Sequence, residues 1–522
     1  LKNQKQNFLG IVESGLDRAI GVLFPKAEAR RRMQRFYLND LRKDLGKRSN
    51  YETYAAAQTN RLTGAWSPLY SNVNDIIGGS WSTVTGRVRQ LVRDFPYFAR
   101  AVKVIVDYSV GPGILFQARF RGADSKLNRA LNQQIEDAFN WWADEADFCG
   151  KLHFYEMMQL EKRQDLECGE LLVVKTVSRD KGRLVPFALR VYEPDWLDTS
   201  YSTQEGNRRI DRGVEYDYAT GKVLAYHFTD PDAWGKPIRI AKENIIHGFE
   251  MLRPGQRRGI SPFVPGVLLA GDLQTTMESE MDASKMASKW LAIVETDSAT
   301  AFQAGRGATV DATGKKIESL ENAIIEYLRP GEKINFQANP RPGGNFAPFV
   351  KLVLTMLSIT TGVPYELLSG DYLGLNYSVS RAKRLDFAKE LRPISIRHVR
   401  HFCQPASLGF MESAVLAGKL SLPKFFSEPY SVKIEWQPPG MESIDPAREV
   451  KSQIDEIMFG LRSPQEVVGG RGRDLETVLK EIVEAKEMAE ELGLEFNKPS
   501  TALANNPAAI EEQDGGDEDE EE

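Results

Sequence analysis

Apolar positions recur with helical period through most of the chain, and the sharpest changes of pattern fall in residues 340–391. There an apolar helical run ends at Thr361-Gly362, a loop with Gly370 and Gly374 follows, and a basic helix begins near Ser378, with Ser and Gly as caps. A second long helical run opens at Ser261-Pro262, with serine as cap and proline in the first turn, and continues to about Thr296. At 1.5 Å per residue, its roughly 35 residues span about 50 Å. On a wheel of about 100° per residue, Leu269, Leu273, Thr276, Ala287, Leu291 and Val294 share one face. Gln274, Glu278, Asp282, Lys285 and Lys289 line the opposite face, a charged stripe whose default reading is a solvated surface. Between the two runs, residues 297–344 are rich in Gly, Thr and charge, with a strand pair around residues 324–327 and 333–337.

Upstream, residues 66–80 read as loop, a helix runs from Thr85 into Phe95-Pro96, and a second continues from Pro96 to about Tyr108, stopped by Gly111-Pro112-Gly113. Amphipathic helices follow over residues 128–142 and 154–167, then strands over 170–175 and 187–192 and a hairpin of 214–218 with 223–228. Residues 61–261 thus form an α+β region. Downstream of Trp436-Gln437-Pro438-Pro439-Gly440, two helices are expected over residues 446–459 and 475–492, with no strand. From Pro499 onward Asn, Pro, Gly and acids predominate, a composition that cannot bury enough apolar area to order a chain.

At 522 residues, 42% hydrophobic and 27% charged, the chain has the make-up of a folded protein with several cores. No run of about 18 uncharged apolar residues exists, which argues against a membrane span, and the first residues lack a secretory pattern, so folding is expected in a cytoplasm. Three cysteines, Cys149, Cys168 and Cys403, are too few for a disulfide framework and fit buried free thiols. The net charge of −6 is polarised: the last twelve residues hold nine acids and no base, so the remainder carries +3. Residues 26–48, with Arg30-Arg31-Arg32, Arg35, Arg42-Lys43 and Lys47-Arg48, form a basic arm. Arm and tail point either to polyelectrolyte partners or to solvated termini.

A catalytic constellation is missing. The nearest string to a phosphate-binding loop, residues 309–316, lacks the first glycine and the metal-binding hydroxyl. His398, His401 and Cys403 are spaced as metal ligands one turn apart, but both histidines lean toward the stripe of Phe387, Leu391, Ile394 and Phe402, where packing is the simpler role. Carboxylate pairs such as Asp195/Asp198 and Glu161/Asp165 have the density of ordinary charged surfaces, with no strand motif of a two-metal nuclease.

Several short motifs in fixed order resemble the lambda-type portal proteins of tailed bacteriophages: Gly255-Gln256-Arg257-Arg258-Gly259-Ile260-Ser261, Leu328-Arg329-Pro330-Gly331-Glu332, Thr361-Gly362-Val363-Pro364-Tyr365-Glu366, Leu368-Ser369-Gly370-Asp371-Tyr372, and Asn376-Tyr377-Ser378 with Arg381. Trp436-Gln437-Pro438-Pro439, Asp445-Pro446 and Gly460-Leu461-Arg462-Ser463 extend the likeness, which covers residues 61–494.

The resemblance implies an α+β, multi-domain fold forming a ring around a central channel, a homo-oligomer of twelve subunits. Its parts are a basic arm (1–60), a wing (61–261), a first stem helix (262–296), a clip (297–344) and a second stem helix (345–363). A tunnel loop (364–377), a long wing helix with return to the wing (378–440), a helical crown (441–498) and a disordered acidic tail (499–522) complete it.

The implied function is non-enzymatic: passage of double-stranded DNA at one capsid vertex of the virion, after assembly in the bacterial host cytoplasm. Implied partners are the terminase large subunit, head-completion, adaptor and tail proteins, and capsid and scaffold proteins, with no membrane, cofactor or metal. The channel lining would comprise Glu278, Asp282, Lys285, Lys289, Asp371, Tyr372, Leu373 and Asn376, although a purely structural turn also fits residues 369–378. The motor-facing clip would carry Arg306, Lys315, Lys316 and Glu318, and the subunit interface Glu280, Leu273, Ala287 and Leu291. The rival functions are a nucleic-acid-processing enzyme of the terminase nuclease or helicase kind and a head–tail connector.

Overall fold

The computed structural model describes residues 33–34, 70–121, 127–229, 238–289, 293–296, 309–310, 316–317, 332–335, 343–422, 425–427, 433–440 and 446–492. The chain divides into two units, Leu1–Ser71 and Asn72–Glu522; in the first, Met33 and Gln34 are helical, and every element below belongs to the second.

Helix α1 (Val73–Asp94) begins well before Thr85, inside a stretch whose glycines read as loop. Val73, Ile77 and Trp81 recur every four residues and are buried, and the Asn72 side chain caps the first turn, which offsets the cost of Gly78 and Gly79. Pro96 opens α2 (Pro96–Ser109). Strand β1 (Leu115–Ala118), α3 (Arg129–Glu145) and α4 (Phe154–Cys168) follow, α4 carrying a capping box of His153 and Glu156.

Two sheets complete the region. Strands β2 (Glu170–Val177), β3 (Phe187–Val191) and β9 (Ile245–Phe249) form one with order β3-β2-β9. The other is an antiparallel meander of β4 (Thr203–Glu205), β5 (Arg208–Asp211), β6 (Val214–Asp217), β7 (Val223–Phe228) and β8 (Ile238–Ala241).

Helix α5 (Val264–Lys289) is shorter than the expected 262–296 run: β-branched Ile293, Val294 and Thr296 lie in β10 (Ile293–Thr296), paired antiparallel with β13 (Glu332–Asn335). Lys333 therefore faces Glu295, and residues 324–327, the strand expected beside it, lie outside the described residues. Strands β11 (Thr309–Val310) and β12 (Lys316–Ile317) pair with each other.

Helix α6 (Phe346–Thr361) ends at Gly362, whose φ of 70° is left-handed. A short α7 (Tyr365–Ser369) lies within the expected loop, and α8 (Tyr377–His398) begins one residue before Ser378, capped by Asn376 rather than serine. A π-turn over Val399–Cys403 leads into α9 (Gln404–Leu416). Strand β14 (Ile434–Gln437) pairs with β1, and three helices close the described chain: α10 (Pro446–Met458), α11 (Pro464–Gly470) and α12 (Leu475–Glu491). Helix α11 is additional to the two expected, and its signal was present as the Ser463-Pro464-Gln465-Glu466 capping box.

Two cores hold these elements. In one, Phe139, Trp142, Phe154, Phe402 and Phe410 pack between α3, α4 and the π-turn, and the Trp142 indole donates to the Phe187 carbonyl at 2.9 Å. In the other, Val88, Phe98, Phe263, Leu273, Leu354, Leu357, Phe387 and Leu391 bring α5, α6 and α8 against α1 and α2. At about 25 cal/mol per Å² of apolar area, each such side chain contributes about 1.5–3 kcal/mol.

Candidate functional site

The joint from β9 into α5 is built from the Gly255–Ser261 motif. Arg258 is buried and donates in bidentate fashion to Glu170 Oε1 and Oε2, the Nε distances being 2.9 and 3.1 Å. Glu170, fully buried, also accepts from the Gly259 amide at 2.9 Å and lies 3.1 Å from His247 Nε2. Burial alone would raise the Glu170 carboxyl; the Arg258 guanidinium and His247 outweigh it and hold the group at about 2. Arg258 also lies 4.8 Å from the Trp81 ring, and the Asn74 side chain binds the Gly255 carbonyl at 3.0 Å and the Arg257 amide at 2.9 Å. A Cβ on Gly259 would meet the Gly169 carbonyl at 1.9 Å, so only glycine lets the chain cross α4 there. This joint fixes the direction in which α5 leaves.

On α5 the stripe is where periodicity placed it. Glu278, Asp282 and Lys285 are exposed; Gln274 donates to Glu278 at 3.1 Å, and Lys285 Nζ lies 3.0 Å from Asp282. The alternating signs therefore neutralise one another along the helix. Lys289 is the last residue of α5, and its side chain lies outside the described set.

The interface expectation is corrected at Leu273. That side chain is 2% exposed and packs inside its own chain with Phe263 and Leu357, because α6 lies across the apolar face of α5. Glu280 is half-buried, Ala287 lies in α5 with its side chain outside the described residues, and Leu291 lies outside them altogether. Among the described residues, an apolar face left exposed lies on α6. Phe349, Leu352, Met356 and Ile359 recur at helical spacing and are exposed, Ile359 by 77%.

Beyond α7, the tip is a fastened turn. Asp371 accepts from the Tyr365 hydroxyl at 3.2 Å and the Leu373 amide at 3.1 Å, and its own amide donates to Ser369 Oγ at 3.1 Å. Lys351 Nζ of α6 stands 4.0 Å from the same carboxylate. Tyr372 and Leu373 project, Leu373 with 89% of its surface exposed. Asn376 is no part of that tip: its side chain accepts from the Val379 amide at 2.9 Å as the cap of α8. Lys383 of α8 pairs with buried Glu366, which anchors the far side.

Of the clip residues, Lys316 begins β12, and Arg306, Lys315 and Glu318 lie outside the described residues. His398 is buried against Phe402 at a ring distance of 5.6 Å, and burial drives its imidazole down to about 3, so it packs as a neutral ring. Cys403 is in the aromatic core, and burial raises its thiol. Among the described residues no group of three or more His, Cys, Asp or Glu side chains is placed to hold a metal, and no helix is long and apolar enough to cross a membrane.

Comparison with known proteins adds the family. A probable portal protein of Halomonas phage phiHAP-1 is 27% identical over 490 residues, covering 90% of this chain and 92% of that protein. Portal protein B of Escherichia phage lambda is 22% identical over 485 residues, covering 84% and 90%. Among solved structures, a chain in the virion of a native gene transfer agent particle is 15% identical over 77% of this chain and 99% of that one, with a TM-score of 0.46. Residues 59–394 match the family described as phage portal protein, lambda family, and the chain belongs to that family: it is a portal protein of the tailed-phage type.

Proposed function

We propose that this chain assembles into a closed ring, a dodecamer, at one vertex of a phage capsid, and that double-stranded DNA passes through the ring during packaging and ejection. The role is structural, with the energy supplied by a terminase docked on the clip; head-completion and tail proteins follow at the same vertex. In this reading residues 61–261 with 378–440 are the wing, α5 and α6 the stem, residues 297–344 the clip, α10 to α12 the crown, and the tip at Tyr372 and Leu373 the tunnel loop.

The observation that carries it is the division of α6 into three faces. Val353, Leu354 and Leu357 bury into the core, Lys351 and Thr355 meet water, and Phe349, Leu352, Met356 and Ile359 form a third, apolar and uncovered face. A helix apolar on two faces needs a second neighbour. A heterologous contact repeated by rotation closes into a ring.

Charge alternation on α5 suits the passage of DNA. Every fixed phosphate contact adds salt-dependent affinity that would stall movement. Asp282 paired to Lys285 removes most of the net field either sign would exert alone.

Imaging and native mass of the purified chain, beside a Leu352→Asp/Ile359→Asp variant, test the proposal. Closed rings with a central opening are expected from the wild type, and folded monomers with an unchanged melting profile from the variant. Wild-type monomers or open filaments, or rings from the variant in normal yield, would overturn it.

A further inference from the structure

A groove runs between β9 and the end of α8 with its π-turn, walled by residues 247–251 on one side and 389–401 on the other. Its charges do not cancel. Lys389 pairs with Asp386 at 3.4 Å, and Arg397 reaches across to the lining carboxylate, Glu250, at 2.5 Å. Burial holds the His247 and His401 imidazoles below their ordinary value, so neither adds charge at neutral pH. Arg392 and Arg400 are exposed and form no ion pair among the described residues, and the Nε of Arg397 between them is buried without an acceptor. Met251 and Ile396 expose apolar surface beside these arginines. The groove therefore suits a row of acidic groups that runs next to an apolar stripe.

Helix α12 presents that combination. Glu484, Glu487 and Glu491 fall on one side of it, exposed and in no ion pair among the described residues, and Leu479, Ile482 and Val483 are exposed beside them. Glu484 to Glu491 spans about 10 Å of helix, and Arg392 to Arg400 about 12 Å. In its own chain α12 is held at α3, where Lys480 donates to Gln133 at 3.1 Å and Arg129 lies 3.9 Å from Glu476. Held there, it keeps both the acidic and the apolar residues in water.

We propose that α12 of one copy seats in the α8–β9 groove of a second copy. The glutamates meet Arg392, Arg397 and Arg400, and the apolar residues cover Met251 and Ile396. Charge and apolar area together favour this helix over the phosphates of a nucleic acid, which would leave Met251 and Ile396 in water. The two faces are unlike, so the contact is head to tail and repeats by rotation. The inference rests on the ring reading and adds to it a contact other than that of α6.

The test uses the full chain with Ile396→Cys and Ile482→Cys in a Cys149→Ser background, treated with a short bis-maleimide at about 100 mM salt, while imaging of the same sample scores rings independently. A ladder of covalently joined copies is expected. Adding Arg392→Glu/Arg400→Glu is expected to cut the ladder about tenfold, and adding Glu484→Arg/Glu487→Arg to that variant to restore it to within about twofold. Rings without a ladder would overturn this contact and leave the ring reading standing; neither rings nor ladder would overturn both. A link confined to single chains, a ladder unchanged by the groove reversal, or a swap that rescues nothing would also overturn it. So would an absent ladder with short duplex DNA held by the parent chain and released by Arg392→Glu/Arg400→Glu, which would make the groove a phosphate site instead.

Discussion

Glu170 shows how one residue holds two parts of this molecule together. Its carboxylate receives Arg258, His247 and the Gly259 amide at the point where β9 hands over to α5. Removing one partner of a buried pair leaves a stranded charge, at about 3–5 kcal/mol. Chemical denaturation of Arg258→Met is therefore expected to show a loss of that order, and a Glu170→Met/Arg258→Met double variant a much smaller one; equal losses would mean that packing rather than charge dominates. The pH dependence follows from the same group. Its folded pKa of about 2 lies below the ordinary carboxylate value of 4.5, so the stabilisation is complete above about 4.5 and drains away as pH falls toward 2. The double variant is expected to lose less stability than the wild type across that window. None of this was readable in Arg257-Arg258, where two adjacent arginines look like surface charge; Glu170 is 88 positions away, and nothing local announces the pairing.

At the scale of elements, the periodic pattern places α4, the end of α6 and the start of α8 to within one residue, and overruns the end of α5. Helix α5 stops at Lys289 because residues 293–296 gain a sheet partner about forty positions later, a long-range choice that no helical wheel contains. The charged stripe was legible because solvent exposure leaves polarity at every third or fourth position. Leu273, on the apolar side, packs within its own chain instead of at an interface, since a wheel cannot tell a neighbour in the same chain from one in another. Asn376 was misplaced for a similar reason: Asn-Tyr-Ser offers two capping residues, and the hydrogen bond to Val379 selects the first. Replacing Asn376 by alanine is expected to cost about 1 kcal/mol through loss of the α8 cap. Thermal melts of the variant check this, and an unchanged midpoint would mean the tip carries α8 without its cap.

At the scale of the whole molecule, motif order was enough to place the chain in its family, and composition was enough to mark the tail and arm as special. The clip assignment carries its own consequence. A Lys315→Glu/Lys316→Glu variant is expected to keep ring yield while weakening capture of the terminase large subunit, measured by co-sedimentation; equal capture would remove those lysines from the motor contact.

The conduit itself is tested by blocking it. Heads assembled with Leu373→Cys in a Cys149→Ser background are reacted with a bulky maleimide before packaging in vitro, beside heads labelled at Tyr218→Cys, an exposed site on the β-meander side. DNA length per particle is the reading. If Leu373 projects into the DNA path, the loop-labelled heads hold short genomes or none, and the control heads fill normally. Full-length genomes in loop-labelled heads, at the control's yield, would contradict the channel.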